Sequence, residues 1–204
     1  MEEFRRGAGL LLAALIGTMC GLITVTNYSQ GFFVGPVTQE FGWDPGQFFL
    51  GFTLMMVAGL FTAPAIGSLV EKWGARPLAI VGLTGHALAY ILLSFNPGSL
   101  LLWYLSFVLL AVLGAGSLPI IWTKVTNGWF VENRGKAIGI VMVGTGLGAF
   151  LLPPIVEAII SNYGWRTGYR VVGIGAAVVS LPFVIALFHE RKFDIESGSV
   201  TDAG

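Results

Sequence analysis

Few side chains in this sequence carry charge, and several of them crowd into one short segment, GSLVEKWGARP at residues 67–77. Glu71 stands directly before Lys72, Arg76 follows, Gly67 and Gly74 flank the pair, and Pro77 closes the segment. An acid beside a base at a glycine-marked turn can do electrostatic work at helix junctions, because carboxylates favour helix N-termini and cations favour C-termini. A second group is Thr24, Asn27, Tyr28 and Gly31, spaced i, i+3, i+4 and i+7 and therefore on one helical face. In an apolar solvent such a stripe either lines a water-filled cavity or hydrogen-bonds a neighbouring helix. Ser117, Trp122 and Thr126, around Pro119, form a weaker case of the same kind.

The remaining chemistry-bearing residues are scattered. Lys124 lies about one turn from a run's end, where its stem can reach interfacial water. Glu157 lies near the opposite end of its run, within reach of pairing with Arg166 or Arg170, and a proton-coupling role for it is the second choice. His86 is a titratable group in mid-run, expected to be a hydrogen-bonded packing residue. An intramembrane enzyme using Glu157 and His86 is disfavoured, since the two fall at different depths. There is no HExxH motif, Cys20 is the single cysteine, and no serine is placed with a histidine and an acid. Neither an enzyme, a cofactor nor a metal site is therefore expected. GTGLG at 144–148 lacks phosphate-loop spacing and a preceding strand. Gly144 and Gly148, like Gly17 and Gly21, read as close helix contacts.

The elements that must position these residues follow from composition. Of 204 residues, 55% are hydrophobic and 11% charged, whereas an ordinary soluble domain carries about 25% charged residues. So little polar surface points to lipid as the solvent, and a net charge of zero gives no support to a nucleic-acid partner. Six runs reach the roughly 17–25 apolar residues that a crossing helix needs: 8–29, 48–70, 78–95, 100–123, 137–160 and 171–188. The expected fold class is all-α integral membrane, with six transmembrane helices in one domain over 1–188 and a polar cytoplasmic tail or linker start at 189–204. Eight basic residues (Arg5, Arg6, Lys72, Arg76, Arg134, Lys136, Arg191, Lys192) fall on one side and two (Arg166, Arg170) on the other, which places both termini in the cytoplasm.

With the turn placed between the second and third helices, the segment resembles the signature loop of the major facilitator superfamily. Gly67, Glu71, Lys72, Gly74 and Arg76 match in order, with Glu71 in place of the usual aspartate and Ala75 where a basic residue is common. WFVENRGKAIGIVMVGTGLG (129–148), including Arg134, with EFGWD (40–44) and YGWR (163–166), is similar to the monocarboxylate porter and oxalate–formate antiporter branch. The resemblance implies one half of a two-half secondary transporter of the cell membrane, working by alternating access on a small organic anion such as a monocarboxylate or dicarboxylate, as a symporter or antiporter. It implies that 67–76 is a conformational gate, with Glu71 docking on a helix N-terminus of the other half, and that the first helix (Thr24, Asn27, Tyr28) lines the substrate path; Trp122 and Thr126 of the fourth are weaker cavity candidates on their own residues. The implied partners are the lipid bilayer, a C-terminal six-helix half or a second copy of this chain, and a small-molecule substrate. The alternative is a non-transporting six-helix membrane protein that binds or assembles a partner.

Overall fold

The computed structural model describes residues 2–194 and 199–202, with side chains described over 2–190. Its elements are α1 (Glu2–Met19), α2 (Leu22–Phe41), α3 (Pro45–Trp73), α4 (Ala75–Ser94), α5 (Leu100–Leu113), a 3₁₀ turn (Gly114–Ser117), α6 (Pro119–Trp129) and α7 (Arg134–Leu187). A short antiparallel ladder pairs β1 (Arg191–Asp194) with β2 (Ser199–Asp202) in the tail.

Among the described residues, five helical stretches are long and apolar enough to cross a membrane: Glu2–Phe41, Pro45–Trp73, Ala75–Ser94, Leu100–Trp129 and Arg134–Leu187. The last has 54 residues, about 80 Å at 1.5 Å per residue, far more than a hydrocarbon core of about 30 Å. Gly164 divides it, with φ 79° and ψ 165°. Pro153 and Pro154 lie inside the helix without breaking it. The expected runs 137–160 and 171–188 fall on either side of Gly164. The first run is longer than expected from sequence: instead of ending near 29, the helix continues through Asn27 and Tyr28 to Phe41.

Two of the stretches are broken in mid-course, and the breaks touch. Between α1 and α2 the chain steps through Cys20 and Gly21, and between α5 and α6 through the 3₁₀ turn and Leu118. A helix break releases backbone groups that lipid cannot satisfy, so side chains must do it. The Leu22 N–H donates to Ser117 Oγ (3.0 Å), and the Ser117 hydroxyl donates to the Gly114 carbonyl (2.8 Å). Thr24 Oγ1 donates to the Thr18 carbonyl (2.7 Å), and Trp122 Nε1 to the Ser117 carbonyl (3.1 Å).

Glycines let the surrounding helices reach these breaks. A Cβ at Gly116 would lie 2.0 Å from the Leu78 carbonyl oxygen, and one at Gly82 2.4 Å from the Gly116 carbonyl carbon. On the other side, Gly144 faces the Leu15 carbonyl at 2.2 Å and Gly148 faces Thr24 Cγ2 at 2.4 Å by the same measure. The core divides about this level. One cluster gathers Leu10, Leu78, Trp122, Phe130 and Phe188, and the other Phe33, Phe48, Tyr90, Trp103 and Tyr169.

At the far end the connections are built from short polar caps. Asp44 Oδ1 accepts from the Gly46 N–H (2.7 Å) while its own N–H donates to Gln47 Oε1 (3.0 Å), starting α3 at Pro45. In the 96–99 turn, Asn96 Oδ1 accepts from the Gly98 and Ser99 N–H groups at 2.8 and 3.0 Å.

Gly116→Ala should lower stability by about 1–3 kcal/mol, because two backbones must part to admit the methyl group. Gly139→Ala, whose Cβ meets nothing within 4 Å, should be neutral or slightly stabilising. Thermal unfolding of the purified chain in detergent measures both, and equal effects would contradict the close crossing.

Candidate gate and translocation face

The junction of α3 and α4 carries the charge-rich segment. The Gly74 N–H donates to the Val70 carbonyl (2.9 Å), and Gly74 then turns the chain with φ 86° and ψ 160°. A positive φ of this size favours glycine. Arg76 and Ala75 face inward: Arg76 Nη2 donates to the Ile185 carbonyl, and the Ala75 N–H donates to Glu190 Oε1 (2.8 Å). Glu71 and Lys72 face outward. Glu71 makes no hydrogen bond or ion pair with the described residues, although it lies in the last turn of α3, where the helix carbonyls disfavour an anion. Gly67 faces open space, with nothing within 4 Å of a Cβ.

The N-terminal acid Glu3 reaches the start of α7 at the same end of the molecule. Its Oε1 accepts from the Val131 and Glu132 N–H groups (3.2 and 3.4 Å) and its Oε2 from Asn133 Nδ2 (3.0 Å). Arg134 is exposed and donates from Nε to the Phe130 carbonyl (3.1 Å).

The polar stripe of the first helix splits. Asn27, Tyr28 and Gly31 are exposed together on α2. Thr24 is buried at the helix break, where its hydroxyl is taken by the Thr18 carbonyl. Trp122 and Thr126 also differ from the sequence expectation: both are fully buried. Trp122 fills the space left by Gly17 and meets Phe188 edge-on at 5.0 Å. Thr126 Oγ1 donates to the Trp122 carbonyl within its own helix (2.8 Å). These three residues belong to the core, because the break and the glycine crossings turn them away from the open face. Lys124 is exposed.

The opposite end holds a clamp that sequence reasoning missed. Glu40 Oε1 accepts from Arg166 Nη1 (2.6 Å), and Glu40 Oε2 accepts from Trp165 Nε1 (2.6 Å). The Arg166 guanidinium stacks over Trp165 at 4.3 Å, and Arg170 Nε donates to Ser94 Oγ (2.9 Å). Arg166 thus pairs with Glu40 rather than with Glu157, which is exposed and unpaired among the described residues. The available signal was the presence of both EFGWD and YGWR; their mutual contact was not legible.

A buried cluster joins α2, α4 and the 165–187 segment. Tyr169 Oη donates to Gln30 Oε1 (2.8 Å), Gln30 Nε2 donates to Tyr90 Oη (3.3 Å), and Tyr90 Oη donates to Thr26 Oγ1 (3.2 Å). His86 stands edge-on to Tyr90 at 4.7 Å and is buried beside the Cys20 backbone at the helix break. The expectation of a packing residue matches this placement, with the Cys20 backbone as its polar neighbour.

Glu40→Ala should cost about 1–3 kcal/mol, since it strands the Trp165 indole and the Arg166 guanidinium. Glu157→Gln should leave stability within about 0.5 kcal/mol. Thermal melts of the two variants compare these directly, and a larger loss at 157 would contradict the observed pairing.

Comparison with known proteins agrees with this geometry. The sequence profile of the Major Facilitator Superfamily matches residues 8–202. Monocarboxylate transporter 14 of Mus musculus is 29% identical over 123 residues, covering 59% of this chain and 23% of that protein. Monocarboxylate transporter 9 of Gallus gallus is 31% identical over 115 residues, covering 56% and 22% respectively. A quinolone resistance transporter of Acinetobacter baumannii is 28% identical over 155 residues, covering 73% and 34%. The chain thus spans only about a quarter to a third of the length of these relatives. A profile match over nearly the whole chain, on helices of membrane-crossing length, is sufficient: this is a multi-pass membrane protein, not an enzyme, and it belongs to the major facilitator superfamily.

Proposed function

We propose that the chain is one six-crossing half of a secondary transporter that carries a small organic anion by alternating access. The observation that carries this reading is the exposed polar face of α2. Asn27, Tyr28 and Gly31 stand uncovered in the middle of a stretch otherwise fit for lipid. Polar groups at that depth turn toward protein or a water-filled path rather than toward lipid. The matching second half comes from a longer chain or from a second copy. An organic acid is favoured because several relatives are named monocarboxylate transporters. The cation that neutralises it would come from the other half, since no deep lysine or arginine stands on the α2 face among the described residues.

The gate reading of 67–76 rests on Glu71. A carboxylate set against its own helix dipole and left unpaired gains from an external helix N-terminus, by about 0.3–2 kcal/mol depending on burial. Both termini lie in the cytoplasm in this arrangement. Cysteine reporters suit Ser161 and Lys72, which are exposed; Ala75 is fully buried and Gly98 has φ 100°. Impermeant reagents added outside cells should label position 161 and spare position 72.

Flux of a radiolabelled monocarboxylate into liposomes carrying the full-length protein tests the transport reading. Tyr28→Phe should lower uptake about tenfold or more, the worth of a hydrogen bond to a charged ligand, with no loss of folded protein. Absence of flux across a panel of organic acids would favour a partner-binding membrane subunit instead. Unchanged uptake in Tyr28→Phe would return the α2 face to helix packing.

A further inference from the structure

Glu190 lies in the tail that sequence assigns to a linker, yet it is tied to the gate. Residues 185–190 are fastened across the ends of α4 and α6 by four contacts. Phe188 packs edge-on against Trp122 at 5.0 Å, and the His189 carbonyl accepts from Trp129 Nε1 at 2.9 Å. Glu190 Oε1 accepts from the Ala75 N–H at 2.8 Å, and Arg76 Nη2 donates to the Ile185 carbonyl. The charges are crossed between the two helices. The acid from beyond α7 sits on the N-terminus of α4, and the base from the start of α4 sits on the last turns of α7, so each meets the favourable end of the other helix.

We propose that Glu190 is a positioning residue of the gate: its carboxylate fills the anion site at the N-terminus of α4, fixes the Gly74 corner, and so keeps Glu71 unpaired and presented outward. The proposal rests on the gate reading of residues 67–76. Its physical basis is competition for one site. The first free N–H of α4 belongs to Ala75, four residues after Glu71, and Glu190 occupies it from 115 positions away. Its second oxygen lies over Gly74, where a Cβ would meet Glu190 Oε2 at 2.9 Å, so the glycine that the φ of 86° favours also leaves room for the carboxylate. With that site filled, Glu71 has no helix N-terminus within its own loop to turn to. Without Glu190, the Ala75 N–H is bare beside Glu71 and the corner loses its fastening. Glu71 is then drawn to the vacated site and away from the opposing half.

The test uses the full-length protein in membranes, with Cys20→Ala and a reporter Gly128→Cys on the exposed face of α6, where a side chain meets nothing within 4 Å. The rate of maleimide labelling from the cytoplasmic side reads how often the inner path is open. Glu71→Gln should raise the rate. Glu190→Ala should raise it about two- to fivefold, the population change expected from losing one charge–helix interaction, and should add nothing further in the Glu71→Gln background. Should Glu190→Ala reduce folded protein, Glu190→Gln keeps the acceptor oxygen and loses only the charge; it should show a smaller rise of the same sign. Labelling unchanged by Glu190 variants, or additive with Glu71→Gln, overturns the positioning role while the gate reading stands. Labelling unchanged by Glu71→Gln overturns the gate reading, and the role of Glu190 falls with it.

Discussion

The Ser117 hydroxyl joins the two broken helices. It accepts the Leu22 N–H from the start of α2 and gives its own proton to the Gly114 carbonyl in the turn before α6. In water, these backbone groups could be left to solvent. In a hydrocarbon layer each unmet group costs several kcal/mol, so a helix can break only where another part of the protein completes it. Much of the interior arrangement follows from this requirement. α4 must approach the turn at Gly82 and Gly116, and α7 must approach the other break at Gly144 and Gly148, because only glycine permits backbone contact at those distances. Thr24 and Trp122 are committed to the same junction and are therefore withdrawn from any open face.

The two ends of the molecule solve a related problem with charge. Helix starts carry N–H groups with no partner in their own helix, and distant carboxylates meet several of them. Glu3 meets the residues leading into α7, and Glu190 meets the start of α4. At the opposite end Glu40 takes the indole and guanidinium of the Trp165–Arg166 pair. Glu71 departs from this pattern, an acid on the wrong end of its helix with no partner among the described residues. The loop is thus asymmetric: Arg76 and Ala75 are spent on holding the half together, while Glu71 and Lys72 are free.

The clustering of apolar residues made the helices legible, since length and hydropathy alone separate crossing helices from connections. The turns at Gly74 and 96–99 were readable because glycine, proline and asparagine have local conformational preferences that need no tertiary context. The exposed part of the α2 stripe, Asn27, Tyr28 and Gly31, follows from helical periodicity. Periodicity could not show that the helix breaks at Gly21, three residues before Thr24, so it could not show that the Thr24 hydroxyl is committed to the Thr18 carbonyl across that break. Trp122 and Thr126 were misplaced for the same reason. The burial of Trp122 goes with the absence of a side chain at Gly17 on another helix, and Thr126 lies one turn on from it, bonded to its carbonyl.

Sequence by itself determined the solvent, the helical stretches, the charged glycine-marked turn at 67–77 and the family, because these depend on composition, run length and short-range spacing. Tertiary structure alone decided which charges meet. Glu40 found Arg166 across 126 positions, Glu190 found Ala75 across 115, and Glu157 found no partner among the described residues. A salt bridge or a helix cap is a matter of a few ångströms, while a charged residue in sequence fixes only that some partner or water is needed. The choice of partner belongs to the helix crossings, and those are set by glycines and broken turns far from the charges they bring together.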